Sequence, residues 1–163
     1  MAFTAWELIR GALITYACFL PLTWIPFLVM FAGGLLGAAQ LGTLLDPEVA
    51  AGVVSLWVFM LLPSATWGLA ALVPAALVAL AIGLALRRVA PRSVHVLAHA
   101  AWGLVVGVVV SGLVLGVWSF AQDSAGIVPT LLAYGVAVGA AAALGWWATS
   151  TLALRRDAAQ ASR

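Results

Sequence analysis

The chain has 163 residues, 66% of them hydrophobic and 7% charged, with a formal net charge of +2. A water-soluble globule of this size needs more polar surface than that, so the composition predicts an all-α integral membrane protein forming a single transmembrane domain over 1–163. A nucleic-acid partner is excluded as the reason for the basic balance, because the arginines flank apolar runs and form no continuous basic surface.

All seven cations are arginines, and the alanine and glycine content is high, which fits a GC-rich bacterial genome. The one cysteine, Cys18, lies within an apolar run, so no internal disulfide can form.

Residues 2–10 read as a short helix at the membrane surface, with Trp6 at the interface and Glu7 able to pair with Arg10 three positions on. The first span follows over about 11–38, too long for the apolar core of a signal peptide. Pro21 and Pro26 each remove a backbone donor and break or bend it, and the local hydroxyl of Thr23 is a candidate partner for a freed carbonyl. Gly33 and Gly37 would let another helix approach closely.

Asp46-Pro47-Glu48 is a helix start: aspartate caps, proline is pre-set for the first turn, and glutamate favours the positive end of the dipole. The apolar sequence that follows, 49–86, is too long for one crossing at about 1.5 Å per residue. The run Pro63-Ser64-Ala65-Thr66-Trp67-Gly68 is the expected divider, combining a helix breaker with hydroxyls and a glycine. This gives an extra apolar helix over about 48–62, interfacial or re-entrant, and a second span over about 64–86 with Pro74 as a further kink.

Arg87-Arg88-Val89-Ala90-Pro91-Arg92 is a polar clamp at a membrane surface. Ser93 can cap the third span, about 94–120. The short acidic loop Gln122-Asp123-Ser124-Ala125-Gly126 then turns the chain into a fourth span, about 129–154, stopped by Arg155-Arg156-Asp157.

With four spans, Arg10, Arg87, Arg88, Arg92, Arg155 and Arg156 all lie on the side of both termini, and the opposite loops carry only acids. That is the positive-inside pattern, so both termini are expected in the cytoplasm of a bacterial plasma-membrane protein. A weak echo agrees: Leu84-Ala85-Leu86-Arg87-Arg88 recurs as Leu152-Ala153-Leu154-Arg155-Arg156, a repeat that any two spans ending at the same face would also produce.

Chemistry is sparse. His95 and His99, four apart on one helical face, are the candidate metal ligands for a zinc, copper or haem site, yet no further cysteine, histidine pair or carboxylate completes a shell. Small residues recur at helical spacing: Ala71, Ala75, Ala79 and Gly83 in the second span, Gly103, Gly107 and Ser111 in the third, Gly135 and Gly139 in the fourth. Such stripes suit helix packing, within one bundle or between copies. Trp67 and Trp118 suit a membrane boundary, whereas Trp146 and Trp147 lie deeper and can line a pocket. Neither a nucleophile–base–oxyanion set nor a Gly-rich phosphate loop is present, and no cofactor is expected.

The expectation is therefore a non-enzymatic accessory or scaffold component of a membrane assembly, partnered by membrane lipid and by other membrane proteins or its own copies. The alternatives are a small transporter or channel for an uncharged or lipidic solute and, behind it, a bis-His metal or haem redox protein.

Overall fold

The computed structural model describes residues 5–34, 46–88, 91–118 and 127–161, and all its regular elements there are helices. In chain order they are α1 (Ala5–Leu22), α2 (Trp24–Gly34), α3 (Pro47–Ala85), a 3-10 turn (Leu86–Arg88), α4 (Arg92–Trp118) and α5 (Ile127–Ala161). Four stretches are long and apolar enough to cross a membrane: Ile9–Val29, Pro47–Ala85, Arg92–Val114 and Ile127–Arg156. Gly37 and the expected loop at 122–126 lie outside the described residues.

The start of the chain forms no separate surface helix, since α1 runs without a break from Ala5 into its apolar stretch. Glu7, expected to pair with Arg10, lies 3.7 Å from the Arg156 guanidinium. This contact puts the beginning of α1 and the end of α5 at the same end of the bundle.

The break between α1 and α2 falls at Thr23, between the two prolines, and Thr23 meets its local cost. Its hydroxyl donates to the Leu20 carbonyl at 2.6 Å. Its backbone N–H is shared between the Phe19 and Leu20 carbonyls at 3.0 and 3.3 Å, and its own carbonyl accepts from Phe27 N–H at 3.2 Å. Buried here, these bonds keep polar backbone from facing hydrocarbon.

α3 opens as its sequence dictates. Asp46 is the N-cap, its side chain accepting from Glu48 N–H at 2.9 Å, and Pro47 occupies the first turn. The expected division at 63–68 is absent. What was read as an extra helix over 48–62 and a span over 64–86 is one rod of 39 residues that carries Pro63 and Pro74 inside it. A proline deletes one donor and leaves the turns on either side bonded, and Thr66 donates its hydroxyl to the Leu62 carbonyl at 2.9 Å beside the interruption. At about 1.5 Å per residue the rod is roughly 58 Å long, about twice the thickness of a hydrocarbon core.

After the 3-10 turn, α4 begins at Arg92, so Ser93 lies in the first turn and does not cap it; the Pro91 carbonyl accepts from Val94 N–H at 3.1 Å. α5 is the hub of the fold, with α4 along one side and α1 and α2 along another, whereas α3 meets α1 and α4 over short stretches and α2 through the edge-on Trp57–Trp24 ring pair, 5.0 Å between centroids. About a third of the most apolar stretch of α5 is buried (33%), against 6% for α3. The protein is thus a close-packed unit of α1, α2, α4 and α5 with a long helix held loosely against it.

Candidate functional site

Glycines bring α4 and α5 together. A Cβ added to Gly107 would stand 2.7 Å from the Tyr134 carbonyl oxygen and 2.8 Å from Gly135 Cα, and one on Gly103 would stand 2.8 Å from the Val138 carbonyl oxygen. From the other side, a Cβ on Gly139 would meet the Ala100 carbonyl oxygen at 2.9 Å, and one on Gly135 would meet Val108 Cγ2 at 2.7 Å. The stripes of the third and fourth spans therefore lie against each other within one chain, and backbone approach is what they permit. α1 joins α5 in the same way: Gly145 faces the Thr15 hydroxyl, and Gly11 faces Thr149.

This close approach sets Trp146 of α5 on the two histidines of α4. The His99 and His95 rings are nearly parallel to the indole, at interplanar angles of 12° and 7° and centroid distances of 4.3 and 5.6 Å. His99 is buried, and its Nδ1 lies 2.7 Å from the His95 carbonyl oxygen. Among the described residues, no group of three or more His, Cys, Asp and Glu side chains comes together. The pair predicted as weak metal candidates thus forms an aromatic stack that fills the α4–α5 seam.

Arg92, read from the sequence only as a topology signal, is also a clamp. One guanidinium nitrogen shares its two hydrogens among the Trp147 carbonyl at 2.8 Å, Ser150 Oγ at 2.9 Å and Thr151 Oγ1 at 2.6 Å. The group also lies 5.7 Å from the Trp147 ring centroid. The polar pair Ser150-Thr151, one turn before Arg155-Arg156, was the sequence signal for this arrangement.

α3 does not close onto this unit. Among the described residues it is tethered by hydrogen bonds from Tyr16 Oη to the Ala65 carbonyl, 3.0 Å, from Trp102 Nε1 to the Ala75 carbonyl, 3.2 Å, and from the His99 ring to the Ala79 backbone. Near the first, Gly68 lets Phe19 come within 2.9 Å of where a Cβ would be. Between and beyond the tethers lies a cleft of about 980 Å³, walled by α1, α3, α4 and α5. Ala71, Ala75, Ala79 and Gly83 all border it, and a Cβ on Gly83 would meet nothing within 4 Å. Within the chain this stripe borders the cleft, and the Ala75 carbonyl on it takes the Trp102 bond. His99, Trp146, Tyr134 and Ser111 line the opposite wall.

The buried hydroxyls on that wall are already engaged within their own helices. Ser111 donates to the Gly107 carbonyl at 2.6 Å and Thr149 to the Gly145 carbonyl at 2.7 Å. The cleft therefore presents mainly hydrocarbon and aromatic surface, suited to an apolar occupant.

Gly33 lies in the last turn of α2, Trp67 is exposed on α3, and Arg10, Arg88, Arg155 and Arg156 are exposed near helix ends. No protein-family model, curated protein or solved structure matches the chain.

Proposed function

We propose that the chain is a four-span integral protein of the bacterial plasma membrane, with both termini cytoplasmic, and that it is a non-enzymatic accessory or scaffold subunit of a membrane assembly. The observation that carries this reading is the state of α3. Of its 39 residues only Val53 is buried, and large apolar side chains such as Val73 and Leu77 are 68% and 64% exposed on it. A helix apolar on all faces is buried in protein or spans a membrane, and this one meets its own chain along short stretches, leaving a long apolar surface open to lipid and to other helices.

Recovery from native membranes in mild detergent or polymer discs tests the reading. A co-purifying protein or a second copy is expected, and Val73→Trp with Leu77→Trp should lose it while Val136→Trp on the outer face of α5 keeps it. Recovery as a solitary monomer under every mild condition would refute the proposal.

A second reading, passage of an uncharged or lipidic solute, is favoured by the cleft between α3 and the other helices. Flux across proteoliposomes above that of empty vesicles would support it.

A further inference from the structure

The cleft changes chemical character along its length. Ala71, Ala75, Phe19, Val106 and Val110 give its middle a hydrocarbon lining, while Glu7, Gly11, Gly83 and Leu84 border one end. The helix ends that flank it carry arginines just outside the lining. Arg156 is 3.7 Å from Glu7, Arg10 directly precedes Gly11, and Arg88 follows Leu84 by one turn. Among the described residues the carboxylate that borders this mouth, Glu7, is matched by Arg156, so Arg10 and Arg88 leave it net positive.

We propose that the cleft is a binding site for one anionic phospholipid, an acyl chain lying along the Ala71, Ala75, Ala79 and Gly83 face of α3 and the phosphate at the arginine mouth. The dimensions suit a chain of this kind. The lining of α4 extends from His99 to Val114, about 22 Å at 1.5 Å per residue, longer than the roughly 15 Å depth of one hydrocarbon leaflet. A volume of about 980 Å³ exceeds what a single water-filled crevice needs, and its apolar walls disfavour water. Arginine forks match phosphate oxygens, and juxtamembrane arginines favour anionic over zwitterionic headgroups.

The inference is independent of whether α3 docks a partner. It is tested on the full chain in mild detergent, offered equal amounts of phosphatidylglycerol and phosphatidylcholine and weighed by native mass spectrometry. One retained lipid is expected, phosphatidylglycerol over phosphatidylcholine by about tenfold. Ala75→Phe, which fills the cleft, should lower occupancy about tenfold, whereas Leu77→Phe, exposed away from the lining, should leave it unchanged. Arg10→Gln with Arg88→Gln should keep a lipid but bring the two headgroups to parity, an arm that decides the matter even if Ala75→Phe does not fold.

Millimolar inorganic phosphate should not displace the lipid. Displacement by phosphate would mark a headgroup-only anion site and overturn the chain assignment. Equal retention of the two lipids by the unaltered protein, retention of none, or unchanged occupancy in a folded Ala75→Phe would each overturn the proposal.

Discussion

Replacing Gly107 by alanine puts a methyl group where two backbones meet. Its Cβ would stand 2.7 Å from the Tyr134 carbonyl oxygen and 2.8 Å from Gly135 Cα, and ordinary contact begins near 3.4 Å. Neither neighbour is a side chain that can turn away, so α4 and α5 must separate by about 0.7 Å, and a gap of 0.5–1 Å forfeits roughly a quarter to a half of each dispersion contact. The overpacking cost is about 1–3 kcal/mol. Against it stands the better helix propensity of alanine, about 1 kcal/mol. Gly83→Ala isolates the two effects, because a Cβ there meets nothing within 4 Å. Reversible unfolding in mixed micelles with increasing dodecyl sulfate, followed by tryptophan fluorescence, should place Gly107→Ala below Gly83→Ala by roughly 1–3 kcal/mol. If Gly107→Ala proves as stable as Gly83→Ala, the α4–α5 approach described above is wrong.

The other expectations concern the clamp, the tethers and the threading. Arg92→Met keeps the aliphatic stem but removes the guanidinium nitrogen that reaches Trp147, Ser150 and Thr151, and should cost about 1 kcal/mol in the same assay at this exposed position; methionine matching arginine would refute the clamp. Tyr16→Phe with Trp102→Phe removes two of the hydrogen bonds that tether α3, so spin labels at Leu69 and Val105 on a Cys18→Ala background should show a broader distance distribution; an unchanged distribution would mean that the remaining contacts, His99 with Ala79 and Trp57 with Trp24, hold α3. On that background, Glu48→Cys and Ala125→Cys should react with an impermeant thiol reagent from outside and Ala90→Cys only from inside. Ala65→Cys, midway along α3, should be protected from both sides. External reaction at position 90 would reverse the threading.

Composition, charge and local signals determined the helical class, the presence of four stretches apolar enough to cross a membrane, the Asp46 cap and the break near Pro21 and Pro26, because each depends on a few neighbouring residues or on a count. The same local reasoning failed at Pro63, where it took a breaker for a boundary. A proline inside a long apolar run costs one bond, and the bonded turns on either side keep the helix continuous.

Only the tertiary structure decided which stripes of small residues meet a partner. Gly103 and Gly107 close on Gly135 and Gly139, whereas Ala71, Ala75, Ala79 and Gly83, with the same spacing, border a cleft. It also decided that His95 and His99 stack on Trp146 and that Arg92 reaches Ser150 and Thr151, 58 and 59 positions away. Periodicity specifies which face of a helix is smooth or polar; what that face meets depends on how separate helices come together, and that is a property of the whole chain.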